Sequence, residues 1–255
     1  MKTKTLLAKL AKRFPKKYAK QNHDFVGLMA GKLPEDVNRI FICLDFDDEI
    51  FEEAKNFKPD LILTHHPFIF GKKRNVLKYD ENKRALYEKV EAAGLTIYSM
   101  HTNFDTGRGG MNDALAKALK LNNIYSPEKD IMMRLGELEQ PMDVYDFAKF
   151  AKKALNVDYG LLIDQGHKTI QKVGIIGGGG AFSWRIAYDE GADIYISGDV
   201  RHHTRREIHL QHFNYLDLPH EIENIFMPTM KELLLEMDSN LDIKTVVHEK
   251  LPIVI

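Results

Sequence analysis

The chain has 255 residues, 44 % of them hydrophobic and 29 % charged, which is enough apolar material for a sizeable core in one large or two ordinary globular domains. Its formal net charge of −1, with 36 Lys and Arg against 37 Asp and Glu, gives no global attraction to nucleic acid or to an anionic membrane. A single cysteine rules out an internal disulfide framework and a cysteine-built zinc site, and no run is apolar enough to span a bilayer, so a cytoplasmic protein without a membrane partner is expected.

The first candidate element is an amphipathic helix in which Leu6, Leu7, Leu10 and Phe14 share helical spacing among Lys2, Lys4, Lys9, Lys12, Arg13, Lys16, Lys17 and Lys20. A nucleic-acid or membrane-surface helix would carry such lysines. In a chain of neutral overall charge, a solvated face on a packed helix is the stronger expectation. Short β-branched runs then alternate with amphipathic stretches. Strands are predicted at 38–44, 60–64, 95–100, 172–177, 193–197 and 214–218, and helices near 48–57, 79–93, 111–120, 143–155, 182–190, 201–211 and 228–238. This alternation predicts an α/β fold with largely parallel sheets. Cys43, inside Ile40-Phe41-Ile42-Cys43-Leu44, reads as a buried strand thiol. The stretch 122–142, with Asn122-Asn123, Ser126-Pro127 and Pro141, reads as a linker. It separates a first domain over 1–125 from a second over 126–255, with room for the C-terminal segment to pack back onto the first.

The two halves echo one another. Asn38 to Pro67 reads strand, acidic loop, helix and then Lys58-Pro59-Asp60-Leu61-Ile62-Leu63-Thr64-His65-His66. Gln171 to Asp199 reads strand, glycine loop, helix and then Gly191-Ala192-Asp193-Ile194-Tyr195-Ile196-Ser197-Gly198-Asp199. Twenty positions separate Ile40 from Asp60 and also Val173 from Asp193. Two related α/β units with equivalent strand ends lining a shared cleft are the expectation.

Ligand-type side chains gather where these strands should end, which is where α/β proteins place ligands. His65 and His66 follow Leu61-Ile62-Leu63-Thr64, and a neutral imidazole is the commonest protein donor to zinc and iron. His101-Thr102-Asn103-Phe104-Asp105 follows the next strand. Asp105 reads either as a carboxylate beside the His pair or as a turn acid before Gly107-Arg108-Gly109-Gly110. Asp199 reads either as a group that orients a ligand, with His203 as a proton carrier, or as a helix cap with His202 and His203 exposed. His220 and Glu223 stand three apart, so both can face one point. This mixture of imidazole and carboxylate is that of a two-metal hydrolytic site, unlike structural zinc or calcium. Gly177-Gly178-Gly179-Gly180 fails the dinucleotide pattern, with Phe182 where the third glycine belongs, and reads as a tight strand-to-helix turn with backbone N–H groups open to an anion.

Asp24-Phe25-Val26-Gly27-Leu28, Pro59 to Pro67 with its Thr-His-His-Pro ending, His101-Thr102-Asn103-Phe104-Asp105, Ser197-Gly198-Asp199 and His220 with a nearby acid occur in this order. Together they resemble the NIF-three-like family (Ngg-one-interacting factor three), the GTP cyclohydrolase I type 2 homologues, over nearly the whole length. The resemblance implies two interlinked α/β domains, a dinuclear centre in the cleft between them and a ring-shaped homohexamer. Carried over by position, the metal ligands are His65, His66, Asp105, His220 and an acid after His220. Many relatives place that glutamate four positions after the histidine, where this chain has Asn224; others place it three after, which gives Glu223, the expected fifth ligand.

The expected function is that of a dinuclear metal-dependent hydrolase, GTP cyclohydrolase-like and acting on a nucleotide. Its two divalent ions would be zinc, iron or manganese, with His203 and His101 carrying protons. A rival of another class is a metal-binding regulatory or scaffold protein contacting transcription factors or nucleic acid through Arg201-His202-His203-Thr204-Arg205-Arg206 and the basic N-terminus. A third is a metal storage or delivery protein.

Overall fold

A computed structural model describes residues 1–249 together with 252 and 253. It divides the chain into two compact units, each with its own sheet.

The first unit comprises Met1–Gly110 and Phe226–Glu249. It opens with α1 (Thr3–Arg13), which buries Leu6 and Leu10 and leaves most of its lysines outside, and α2 (Lys17–Gln21). Phe14, between the two, is fully buried. Strands β1 (Gly27–Ala30) and β2 (Arg39–Cys43) follow, then α3 (Asp48–Phe57), β3 (Leu61–Thr64), α4 (Lys73–Tyr79), α5 (Glu81–Ala92), β4 (Ile97–Ser99) and α6 (Thr102–Thr106). Capping fixes the ends of α3. The Asp47 carboxylate accepts from the Ile50 N–H at 3.0 Å, and Lys58 closes the helix in the left-handed region.

The second unit comprises Met111–Ile225 with Pro252 and Ile253 of the described residues. Its elements are α7 (Met111–Ala118), β5 (Asn122–Tyr125), β6 (Arg134–Asp143), α8 (Val144–Ala154), β7 (Leu161–Asp164), β8 (Thr169–Ile175), α9 (Trp184–Asp189), β9 (Ile194–Ser197), α10 (His202–Leu210) and β10 (Asn214–Asp217). The chain then returns to the first unit as α11 (Phe226–Met237) and β11 (Asp242–Thr245).

Strand order in the first sheet is β1-β4-β3-β2-β11, parallel except for the β1–β4 edge. All four residues of β3 are buried, as a central strand of a covered parallel sheet requires. The second sheet runs β5-β6-β8-β9-β10-β7, and only β8–β9–β10 is parallel. Largely parallel sheets were expected throughout, so the second sheet is a correction, and its source is the stretch 122–142. That stretch holds β5 and β6 in place of a linker. Arg134, only 3 % exposed, anchors it through its guanidinium to Asp113 at 2.6 Å and to the Ile131 and Met132 carbonyls, both at 3.0 Å. The division accordingly falls after Gly110, whereas the domain boundary was placed at 125, and 226–249 joins the first unit because β11 extends its sheet in parallel with β2.

The echo between the halves has a structural counterpart. Asp60 accepts from the N–H groups of Asn38 and Arg39 at 2.8 and 2.9 Å, and Asp193 accepts from those of Gln171 and Lys172 at 2.9 and 2.8 Å. Registers match too, with Ile40 opposite Leu61 and Val173 opposite Ile194. One aspartate thus pins the start of two parallel strands in each unit. Among the described residues no helix is long and apolar enough to cross a membrane.

Candidate metal centre

In the first unit, β-register brings three histidines to one sheet end. Thr64 on β3 lies opposite Ser99 on β4, so the residues that follow, His65-His66 and Met100-His101, leave the sheet side by side. His65 is fully buried, and its Nδ1 lies 2.9 Å from the Met100 carbonyl oxygen. His66 Nδ1 lies 2.9 Å from Asp45 Oδ2, and His101 Nδ1 lies 2.8 Å from Asp24 Oδ2. Each Nδ1 is held by a carbonyl or carboxylate, the arrangement that orients imidazoles in metal sites. One ligand atom from each of the three lies within 4.8 Å of the others.

Asp105 sits inside α6, one turn after His101, with its N–H donating to the His101 carbonyl at 3.1 Å and its Oδ1 3.4 Å from His65 Nε2. Its carboxylate is directed at the histidine, which favours the donor reading over the turn acid. Asp24 is held from several sides: it accepts from the Phe25 N–H at 2.7 Å, from the Thr102 hydroxyl at 2.7 Å and from the Thr102 N–H at 3.2 Å. Burial pushes its pKa up, but the hydrogen bonds from His101, Thr102 and Phe25 outweigh this and hold it below the usual carboxylate range. Asp45 is likewise raised by burial and lowered further by His66, with a net depression.

The second unit repeats the pattern. Asp199, in the left-handed region just after β9, places Oδ2 2.6 Å from His220 Nδ1. His220 Nε2 lies 3.1 Å from Oε2 of Glu223, whose side chain is only 5 % exposed. Asp199 does not cap α10; the cap position is Arg201, which makes no side-chain cap bond. Room for the pair comes from the glycine run. Gly178 has φ +58°, and a Cβ there would stand 2.3 Å from Glu223 Oε1 and 2.9 Å from His220 Nε2. The glycines therefore serve close approach of two ligand-type side chains, which the sequence reading did not foresee. Gly178→Ala is expected to displace His220 and Glu223 and to lower metal content, measured by elemental analysis, while also costing about 1 kcal/mol in thermal unfolding for the backbone strain alone.

Of the expected site residues, His65, His66, His101 and Asp105 come together in the first unit, and His220 with Glu223 in the second. His203 lies exposed in the first turn of α10, outside these groups. Arg205 of the basic stretch is committed to Asp217 at 2.7 Å. Sequence reasoning passed over Asp24 and Asp45 as site residues, although Asp24 opens one of the recognised motifs and Asp45 stands in the acidic loop of the echo. A cavity of about 330 Å³ within the second unit is bordered by His220, Asp199, Tyr159, Arg205 and Asp217.

Comparison with known proteins decides the family. The family model for Duf34/NIF3 (NGG1p interacting factor 3) matches residues 1–252. The chain belongs to the DUF34/NIF3 family. It is 30 % identical over 207 residues to the GTP cyclohydrolase 1 type 2 homolog of Clostridium perfringens, covering 79 % of each chain. With the homolog of the same name from Lactococcus lactis it shares 28 % identity over 247 residues, 95 % of each. Its fold matches that of a hypothetical protein of Staphylococcus aureus at a TM-score of 0.88 and 24 % identity, covering 100 % of this chain and 99 % of that one. A Bacillus cereus protein related to NIF3 gives a TM-score of 0.86 at 19 % identity with the same coverage.

A substitution pair tests whether Glu223 takes part in metal binding. Glu223→Gln is expected to weaken metal binding more than Asn224→Ala, by about tenfold or more, because an amide lacks the carboxylate charge. Metal titration followed by calorimetry reads the difference, and equal effects would move the ligand off Glu223.

Proposed function

We propose that this chain is a metal-dependent hydrolase acting on a nucleotide, with two divalent ions per chain held by His65, His66, Asp105, His220 and Glu223. One observation carries the proposal: His65, His66 and His101 converge, one ligand atom of each within 4.8 Å of the others, and each imidazole is oriented at Nδ1 by a carboxylate or carbonyl. The donors are imidazoles and carboxylates, which suit zinc, iron or manganese. A bound divalent ion supplies Lewis acidity and makes water a competent nucleophile near neutral pH.

The chain's own groups manage the protons. His101 is the acid–base group beside the ligands, oriented by the half-buried Asp24 as a carboxylate orients the imidazole of a hydrolase dyad. The names of the curated relatives support a nucleotide as the substrate class, and the family resemblance adds a homohexameric ring, which light scattering in solution would test. The direct test of function is elemental analysis combined with turnover of a nucleotide panel on one preparation. About two ions per chain and metal-dependent hydrolysis are expected; a metal-loaded protein that turns over no nucleotide would favour the scaffold or storage role.

A further inference from the structure

A second concavity, of about 370 Å³, lies in the first unit outside the metal ligands. Its lining combines Lys16, Lys20, Lys72 and Lys73 with apolar side chains that include Phe25 and Leu28. Lys16 and Lys20 stand one turn apart along α2, and Lys16 reaches across Gly27, where its Nζ lies 2.6 Å from the position a Cβ would take. Lys72 and Lys73 open α4. Lys73 donates to the Tyr87 hydroxyl at 2.5 Å, whereas Lys16, Lys20 and Lys72 form no ion pair with a carboxylate among the described residues. Asp24 is the pocket's acid, and both its oxygens already accept hydrogen bonds, from Phe25, His101 and Thr102. Four cations around one hollow, in a chain of net charge −1, create a local positive field that an anion would relieve. The apolar part stays open, since Leu28 is 46 % exposed and Phe70, edge-on to Phe25 at 6.0 Å, is 67 % exposed.

From this geometry we infer that the pocket binds a phosphorylated small molecule, with the phosphate chain on Lys16, Lys20 and Lys72 and the flat or apolar body against Phe25 and Leu28. The inference stands apart from the metal chemistry proposed above. It also gives the basic N-terminal segment a small-molecule role in place of nucleic acid. Asp24 borders the pocket and binds His101, so an occupant lies one side chain from the acid–base group.

Calorimetric titration of the full-length protein with GTP, inorganic pyrophosphate and guanosine tests the inference. GTP and pyrophosphate should bind with affinity that falls as salt rises, and guanosine should bind far more weakly. The double variant Lys16→Glu with Lys20→Glu should raise the Kd for GTP by about tenfold or more, and Lys16→Arg with Lys20→Arg should restore it. Lys4→Glu with Lys12→Glu makes the same charge change on α1 outside the pocket and should leave the Kd within about twofold. Equal loss from the Lys4 and Lys12 pair would show a diffuse field without a site. Loss in His66→Ala but not in the pocket variant would put the phosphates on the metals, overturning the pocket while sparing the hydrolase reading. Guanosine binding as tightly as GTP, or an oligonucleotide that depends on Lys16 and Lys20 and is not displaced by GTP, would also overturn it.

Discussion

His65→Ala is expected to empty at least one metal position and to lower nucleotide turnover by about 10³-fold or more, because a Lewis acid contributes several kcal/mol to such a reaction. The imidazole is fully buried, held at Nδ1 by the Met100 carbonyl and faced at Nε2 by Asp105. Its place is fixed by β3, which pairs with β2 on one side and β4 on the other. Removing it also takes the imidazole partner from the Met100 carbonyl in a buried space, at a cost of about 1–3 kcal/mol in stability. Elemental analysis, nucleotide turnover and chemical unfolding check the three parts separately. Undiminished metal in a variant that folds would remove His65 from the ligand set.

The second large effect concerns the Asp24–His101 pair. His101→Ala is expected to lower turnover by about 10²–10⁴-fold while the protein keeps its metal, and Asp24→Asn should lower it comparably by releasing the imidazole from its required tautomer. The basis is the 2.8 Å contact between His101 Nδ1 and a carboxylate whose side chain is 5 % exposed and is further fixed by Thr102. A dependence of turnover on pH should flatten or shift in Asp24→Asn, a change that loss of packing alone would not produce. If His101→Ala strips metal instead, His101 is a ligand, which its closeness to His65 and His66 would then explain.

Much of the chain's local structure was present in the sequence. Period-two and period-3.6 patterns located β2, β3, α3, α8 and α11 to within a few residues, because each buries a continuous apolar run or stripe and so writes its burial into residue order. The closeness of Asp105 to His65 and of Glu223 to His220 was legible for a related reason: strand ends restrict where such residues can converge. Tertiary structure alone decided the rest. Strands β5 and β6 hide behind turn-forming residues such as Asn122-Asn123 and Pro141, and their pairing is held by the buried Arg134 network, which no local periodicity announces. The same holds for β11, whose place beside β2 depends on residues some two hundred positions apart in sequence. Asp24 is the sharpest case. It becomes the partner of His101 across 77 positions, and hydrogen bonding between side chains so distant leaves no periodic trace in a single sequence.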